Sequence, residues 1–151
     1  MSVKEFDQKF ITFANRWYGP LARAALFIIF FYFGFLKLIG LSPADQLAKA
    51  LVEKTIGLTY FNELFFLLAL IECAIGIMFL FPRLTRVVIL IMFLHMLLVC
   101  SPLILAPAEV WQMPFVPNLE GQYVIKNAAL VVLALGLVAR TKPLKGRAKN
   151  K

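Results

Sequence analysis

The sequence predicts an all-α, polytopic membrane protein in which four transmembrane helices form a bundle and an amphipathic interfacial helix precedes the first of them. Composition and the spacing of apolar residues lead to this prediction. Hydrophobic residues make up 62% of the chain and charged residues only 16%, whereas soluble domains usually have roughly 45–50% apolar and about 25% charged residues. The apolar excess lies in four long runs, and a length of 151 residues suits one membrane domain, residues 1–151, rather than two domains.

Each of the four apolar runs is long enough to cross a hydrocarbon core about 30 Å thick. Pro20 stands just before the first run, at a position that a first helical turn tolerates. Pro102 lies near the end of the third run, where a proline kinks or ends a helix. The predicted transmembrane helices are therefore residues 21–41, 63–81, 87–105 and 122–139.

Residues 1–19 are predicted to form an interfacial helix on the cytoplasmic surface of the membrane. Apolar side chains recur there at spacings of three and four, with charged residues on the other faces: Val3, Phe6, Phe10, Phe13 and Trp17. This pattern is typical of a helix that lies in the plane of the interface. The apolar run that follows is too long for a signal peptide and has no small-residue cleavage site.

The two outer loops carry their own structural signals. Between spans one and two, Ser42, Pro43 and Asp45 have the spacing of a helix cap, a first-turn proline and a first-turn acid. This spacing predicts a short amphipathic helix at the outer surface. The loop from 101 to 121 is rich in proline and carries Trp111 and Phe115, which are typical of membrane interfaces. We expect this loop to fold back over the outer mouth of the bundle.

Lys and Arg residues are distributed unevenly between the two ends of the predicted spans. The N-terminal segment, the turn between spans two and three, and the basic tail at 140–151 hold twelve of them, and the outer loops hold only Lys49 and Lys54. Positively charged flanks stay in the cytoplasm, so we expect a cell inner (cytoplasmic) membrane with both termini cytoplasmic. These flanks also explain the net charge of +8 through contact with anionic lipid. Nucleic acid is therefore not an expected partner.

Cysteine and histidine usage argues against a metal or haem site. The chain has two cysteines and one histidine, without a CxxC motif or a Cys/His cluster of zinc spacing. A single histidine cannot supply the paired axial ligands of a b-type haem. Cys73 and Cys100 differ in depth by roughly 10 Å at helical rise, which is too far for a disulfide. Both are interpreted as small apolar fillers.

Four ionisable residues lie at least four positions from either end of the predicted spans: Lys37, Glu72, His95 and Lys126. A charged group costs roughly 2.5–3.5 kcal/mol at such depths, so we expect these side chains to face the bundle interior. At a rise of about 1.5 Å per residue, both lysines are predicted roughly 6 Å from the outer surface, with the other two residues nearer the midplane. The sequence therefore predicts a polar cluster that opens toward the outer side.

Small and polar residues at helical spacing accompany this cluster. Gly34 lies one turn from the lysine of span one, and Gly76 lies one turn from the glutamate of span two. Tyr123 and Asn127 share a helix face with the lysine of span four. Glycines let helices approach each other or leave room for a ligand. These residues complete the predicted ligand pocket, in which no residue is assigned a catalytic role.

Two interpretations of the cluster remain open. In the structural one, an ion pair between Glu72 and Lys37 holds two helices in register, and His95 bonds to a neighbour. In the pocket interpretation, which we favour, four ionisable groups exceed what packing needs. An imidazole beside a carboxylate can move protons near neutral pH, and lysines can hold an anionic or carbonyl-bearing ligand. Quinone reduction, anion binding and proton relay all fit this chemistry.

Three stretches of the chain resemble motifs of DoxX-like membrane proteins. Residues 33–38 (FGFLKL) are similar to the small-residue and basic signature of their first span. Residues 70–76 (LIECAIG) resemble their glutamate with a glycine four residues later, and residues 121–127 (GQYVIKN) the lysine-asparagine start of their last helix. The resemblance covers residues 21–139, and the proline-rich loop before span four also resembles the related YkgB-like membrane proteins.

The resemblance implies a four-helix inner-membrane protein with Lys37, Glu72 and Lys126 as pocket residues. The family takes its name from a thiosulfate:quinone oxidoreductase subunit, and some members are linked to redox or oxidative-stress systems. We therefore expect a quinone- or small-molecule-binding subunit of such a system; a quinone is the candidate cofactor and a redox protein the candidate partner, and neither is assigned. An independent oxidoreductase is not predicted, because the chain has neither a Gly-rich dinucleotide loop nor a CxxC motif.

Two alternatives stand beside this hypothesis. One is a membrane scaffold or assembly protein without catalysis, which would use the basic tail and the amphipathic N-terminus. The other is a small-anion transporter, which four short spans without broken, repeated helices make less favourable. The sequence fixes no oligomeric state, and homo-oligomerisation is compatible with each of these functions.

The distribution of positive charge predicts where reporter fusions will work. A fluorescent protein fused after residue 151 should fluoresce, and alkaline phosphatase at the same place should stay inactive, because the tail is expected in the cytoplasm. A phosphatase inserted between residues 101 and 121 should be active. An active phosphatase at the tail would contradict the predicted orientation.

Overall fold

Seven α-helices, two short 3-10 helices (Leu58–Tyr60 and Pro82–Leu84) and one short hairpin form residues 1–143, the part of the chain that the computed structural model describes. The α-helices are α1 (Val3–Leu38), α2 (Asp45–Thr55), α3 (Phe61–Phe79), α4 (Thr85–Cys100), α5 (Pro102–Leu105), α6 (Pro107–Val110) and α7 (Leu119–Ala139). The strands β1 (Trp111–Met113) and β2 (Val116–Pro117) pair antiparallel between α6 and α7. Of the predicted basic tail, residues 144–151 lie outside the described part.

Four helical segments in this part are long and apolar enough to cross a membrane: Val3–Leu38, Leu58–Phe79, Pro82–Leu105 and Leu119–Ala139. They confirm the predicted all-α, multi-pass membrane fold and its contact with the lipid bilayer. The last helix begins at Leu119, three residues earlier than predicted. The reason is a side-chain cap, since Asn118 Oδ1 accepts a hydrogen bond from the backbone N–H of Gly121 at 2.9 Å.

The first helix corrects the predicted division into an interfacial helix at 1–19 and a span at 21–41. Residues Val3–Leu38 form one continuous helix of 36 residues, and Pro20 lies inside it. Proline removes one backbone hydrogen bond and favours a break, but tertiary contacts hold the helix on both sides. Tyr18 Oη donates to the carbonyl of Leu133 at 2.9 Å, and Arg23 Nη1 donates to the carbonyl of Phe79 at 3.1 Å.

The bundle core lies among α1, α3, α4 and α7. Helix α1 packs against α3 and α7, and α4 packs against the same two helices. Each helix contributes fully or almost fully buried side chains, among them Leu26, Phe30, Ile75, Phe79, Val88, Met92, Ala134 and Leu137. The apolar interior therefore surrounds any polar group that these helices turn inward.

Helices α1 and α3 form the closest contact, and two glycines make it possible. A Cβ on Gly34 would lie 2.9 Å from the backbone nitrogen of Cys73 and 2.9 Å from Glu72 Cβ. A Cβ on Gly76 would lie 2.7 Å from the backbone nitrogen of Phe31. Both positions thus let the two backbones approach, and neither leaves a space for a ligand.

The two connecting loops pack on one end of the bundle. The predicted short helix after span one is confirmed as α2, and Ser42 Oγ accepts a hydrogen bond from the Ala44 N–H at 3.2 Å before it begins. The predicted fold-back of the later loop is confirmed by the contacts of α5 with α2 and of α6 and β2 with α7. Ala106 and Val110 are fully buried there. This end of the bundle is therefore covered by protein.

The glycine contact gives a direct test of the packing. Gly76→Ala should destabilise the protein by about 1–3 kcal/mol, because the added methyl group meets backbone that cannot move freely. Gly19→Ala is the matched control, since apart from its neighbours in the chain a Cβ there has nothing within 4 Å. The control should cost clearly less than Gly76→Ala, because the new methyl group meets only the ring of Pro20 and no other helix. Thermal unfolding in detergent measures both; equal midpoints for the two variants would contradict the close packing.

Candidate functional site

Lys37 and Glu72 form a closed ion pair inside the bundle. Lys37 lies in the last turn of α1, and Glu72 lies beyond the middle of α3. Lys37 Nζ is 2.6 Å from Glu72 Oε2, and each side chain is only 8% exposed. A charge-assisted hydrogen bond of this length is among the stronger polar contacts in proteins. It ties α1 to α3 at the level where Gly34 brings the two helices together.

His95 joins the same carboxylate from α4. Its Nε2 lies 3.3 Å from Glu72 Oε1, and its side chain is 4% exposed. The edge of the imidazole faces the Phe30 ring, with 5.9 Å between the ring centroids. Glu72 therefore uses one oxygen for an ammonium group and the other for an imidazole. We call Lys37, Glu72 and His95 the charge network.

The surroundings of the charge network are apolar and tightly filled. Phe30, Ile75 and Met96 are between 0% and 6% exposed. Among the described residues, every buried side-chain nitrogen or oxygen has a hydrogen-bond partner. Electrostatic interactions are strong in such a low-dielectric setting, and so is the cost of leaving one group unpaired. The polar groups of the network are thus already paired, so a polar ligand can bind there only by displacing one of its three side chains.

The position of Lys37 corrects its predicted depth. We expected it roughly 6 Å from the outer surface at helical rise, but its ammonium reaches Glu72, which lies eleven residues from the first residue of α3 and seven from the last. Helix α1 ends at Leu38, so its C-terminus stops beside the middle of α3. We predicted that the ionisable groups gather toward the outer end of the bundle. Lys37, Glu72 and His95 instead meet deep in the bundle.

Lys126 and its neighbours lie elsewhere, so the prediction of one cluster of four ionisable groups is wrong. Lys126 and Tyr123 are exposed on the surface of α7, Asn127 is partly exposed, and Lys126 Nζ lies 5.4 Å from the centre of the Tyr123 ring. Buried Val124 shows that a different face of α7 meets the core. A lysine side chain points toward the N-terminus of its helix, and it can extend along apolar surface to the membrane interface. Its charge therefore needs no interior partner.

A second polar contact between helices was not predicted from the sequence; it is made by Arg23, one of the twelve basic residues that predict the cytoplasmic side. Arg23 Nη2 donates to Thr85 Oγ1 at 2.6 Å, and Thr85 is 1% exposed. Thr85 Oγ1 in turn donates to the carbonyl of Pro82 at 2.7 Å. One signal could have found it: Arg23 and Lys37 are fourteen residues apart, close to four helical turns, and so share a face.

An open, shallow apolar cavity of about 500 Å³ lies on the surface of the covering loop, away from the charge network. It is lined by Leu103, Pro107, Ala108, Trp111, Met113, Pro114 and Phe115. The Trp111 ring is fixed by a hydrogen bond from Nε1 to the carbonyl of Leu103 at 3.1 Å. No residue of the predicted pocket lines this cavity. Within residues 1–143, no group of three or more His, Cys, Asp or Glu side chains could hold a metal ion.

Comparison with protein families, characterised proteins and solved structures gives no match to the chain. Its chemistry must therefore be argued from its own geometry. That geometry offers a carboxylate, an ammonium group and an imidazole, which together can bind an anionic or carbonyl-bearing molecule and hold an exchangeable proton.

The charge network predicts a pattern of stability among three variants. Glu72→Gln leaves the Lys37 ammonium buried without a counter-charge, and Lys37→Met leaves the carboxylate in the same state, so each should cost about 3–5 kcal/mol. The double variant removes both charges and should recover most of the loss. Thermal unfolding in detergent tests this pattern.

Lys49→Met is the matched control for these variants. Its pair with Asp45 is 2.8 Å long but exposed, with 51% and 39% of the two side chains accessible, so the change should be within about 0.5 kcal/mol. Additive losses in the double variant would show that Lys37 and Glu72 do not compensate each other.

Proposed function

We propose that this protein is a DoxX-like membrane subunit of a redox or oxidative-stress system, which binds a quinone or another small carbonyl-bearing molecule at the charge network. One observation carries the proposal: Lys37 and His95 share the two oxygens of Glu72 at 2.6 and 3.3 Å, with 4–8% of each side chain exposed. Ionisable groups inside a membrane bundle are costly, and they commonly mark ligand or proton sites.

Stability alone does not account for such a network. Replacing a buried ion pair by apolar residues of similar volume is often neutral or stabilising. A bundle that already packs Phe30, Ile75 and Met92 has no need of three ionisable groups for cohesion. The network therefore represents a cost that a function offsets.

The chemistry of the network suits a quinone headgroup. A quinone has two carbonyl oxygens that accept hydrogen bonds, and reduction to a quinol takes up two electrons and two protons. The Lys37 ammonium and the His95 imidazole are N–H donors on either side of Glu72. The electrons would come from the redox partner. The part played by this chain is to hold the headgroup and to keep proton donors beside it.

Binding requires the closed pair to open, and Lys37 is the member best placed to move. It precedes the last residue of α1 by one position, and the chain then turns at Gly40, whose φ is 71°. A lysine has a long, flexible side chain, so it can exchange Glu72 for a ligand oxygen without moving α1. Glu72 and His95 lie in the interiors of α3 and α4 and stay in place.

The resemblance to DoxX-like proteins supports the same residues. Two members of the charge network, Lys37 and Glu72, stand in the stretches that resemble the family motifs. We also infer an inner-membrane location with both termini cytoplasmic. The basic residues Arg86, Arg140 and Lys142 support this orientation, because they meet at one end of the bundle, where Arg86 Nη2 donates to the carbonyl of Lys142 at 2.5 Å.

Quinone binding can be measured with the protein in lipid nanodiscs. Short-tail ubiquinone and menaquinone analogues should raise the unfolding midpoint of the wild-type protein, since a ligand at about 100 times its Kd stabilises by about 2.7 kcal/mol. The double variant Lys37→Met/Glu72→Gln should lose this shift, and Lys49→Met should keep it. No shift in the wild-type protein across several quinones and small anions would exclude ligand binding at this site.

A scaffold without a ligand is the second candidate, and the closed, fully paired state of the network favours it. In that function the network only fixes α1, α3 and α4 relative to one another. The double variant would then recover the same partner proteins in pull-downs as the wild-type protein, and ligands would stabilise neither form. A double variant that loses ligand binding but still recovers the same partner proteins would show that the charge network serves ligand binding and is not needed for partner binding.

A further inference from the structure

A stripe of apolar side chains runs along the part of α1 that extends past the bundle. We call Val3, Phe6, Phe10, Phe13 and Trp17 the α1 seam; they are 86%, 58%, 61%, 57% and 44% exposed. Neighbouring rings lie next to each other along it: Phe6 stacks on Phe10, and Phe13 and Trp17 are tilted by 43° with 6.3 Å between their ring centroids. A capping box of Ser2 and Glu5 closes the helix end. The seam is thus a preformed helical face that nothing in the described chain covers.

The contacts of α1 direct this segment away from the bundle. Arg140 Nη1 donates to the carbonyl of Asn15 at 2.7 Å, and its guanidinium lies 4.3 Å from the centre of the Tyr18 ring. Together with the Arg23 contacts, these bonds hold α1 to the end of α7 and to α3 on both sides of Pro20. Residues 3–14 add about 18 Å of helix beyond these contacts. Because α1 is one continuous helix through Pro20, this segment is an extension of the membrane-spanning part of α1.

The spacing of the seam is that of a coiled coil. Its residues alternate at intervals of three and four, which places Val3, Phe10 and Trp17 at a positions and Phe6 and Phe13 at d positions of a heptad. The buried residues of α1, such as Ala22 and Leu26, lie on the opposite side of the helix at about 100° per residue. The seam thus points away from its own bundle.

We propose that the α1 seam is a homodimer interface, in which the seams of two copies pair as parallel helices. Copies inserted in one membrane with the same orientation have parallel α1 helices, so the geometry of a parallel coiled coil is already imposed. The exposed apolar face also continues past the inner end of the bundle through Leu21, Ile28 and Phe35. These residues share the side of α1 on which the seam lies.

The charges that border the seam fit a second copy. Lys9 and Arg16 fall at g positions and Asp7 at an e position. In a parallel pair a g residue faces the e residue five positions later, so Lys9 meets Ala14 of the other copy and no like charges face each other. Residues 3–17 carry three basic and two acidic side chains, a nearly balanced charge: Lys4, Lys9, Arg16, Glu5 and Asp7. It therefore lacks the basic character that would select an acidic protein surface.

The size of the interface requires both parts of α1. A buried aromatic side chain contributes about 150–250 Å², so the four half-exposed rings supply roughly 400 Å² per copy. A stable interface buries about 800 Å² per partner. In the proposed dimer the remainder comes from the membrane-spanning part of the same face, where Leu21, Ile28 and Phe35 are exposed.

Cysteine cross-linking in native membranes tests the arrangement. Phe6→Cys, Phe10→Cys and Phe13→Cys should form dimers under mild oxidation, whereas the matched positions Gln8→Cys and Thr12→Cys, on the far side of the same helix, should not. The wild-type chain, whose Cys73 is buried and Cys100 partly buried, gives the background. Cross-links that are absent at all positions, or equal at all positions, would overturn the proposal.

A charge variant provides the second measurement. Phe10→Glu places a carboxylate at the centre of the seam and should weaken dimerisation in lipid nanodiscs or by single-molecule photobleaching at least about tenfold, while Thr12→Glu should leave it unchanged. Both residues lie outside the bundle core, so the unfolding midpoint should stay constant and report an intact fold. A wild-type protein that is monomeric at every lipid-to-protein ratio would also overturn the proposal.

Discussion

The carboxylate of Glu72 sets the relative positions of three of the four membrane-spanning helices. One oxygen holds Lys37 of α1 and the other lies within ion-pair distance of His95 of α4. In water such contacts would contribute little. Inside an apolar bundle the alternative to each contact is an unpaired buried charge, so any rotation of α1 or α4 that breaks one is strongly opposed. The network thus specifies one arrangement of the helices among the several that apolar packing alone would permit.

The close approach of α1 and α3 and the ion pair depend on each other. A Cβ on Gly34 would collide with Glu72 Cβ at 2.9 Å, so only glycine lets Lys37, one turn later, reach the carboxylate. At the other end of the bundle, Arg23 donates to the carbonyl of Phe79 and to Thr85. Arg23 and Lys37 are separated by about 21 Å along α1. The contacts of Arg23 and Lys37 therefore lie at the two ends of the apolar contact between α1 and α3. Together they fix the register of the two helices.

The cost of burying charge in a membrane was enough to predict that Glu72, Lys37 and His95 face inward, and hydropathy was enough to predict the four spans. The same rule placed Lys126 wrongly, because a lysine near a helix end can reach the interface along apolar surface. Pro20 was read as a helix start, since local rules cannot include the bonds that Tyr18 and Arg23 make to residues distant in sequence. Local signals thus predicted the four spans and α2 but not the short helices α5 and α6 or the hairpin of β1 and β2, and tertiary contacts decided where the helices continue.

Helix α1 carries both features to which we assign a role: Lys37 stands in its last turn, and the seam occupies its first four turns. A continuous helix held at Asn15, Tyr18 and Arg23 moves as a unit. If a ligand at Glu72 shifts α1 when it displaces Lys37, the pairing of the two seams must change as well. Linkage then requires that dimerisation changes the affinity for the ligand by the same factor by which the ligand changes the affinity between the two copies. If Lys37 exchanges its partner by side-chain rotation alone, α1 stays in place and the coupling is zero. The length and flexibility of the lysine side chain favour the second case, which leaves ligand binding and dimerisation as independent properties of one helix.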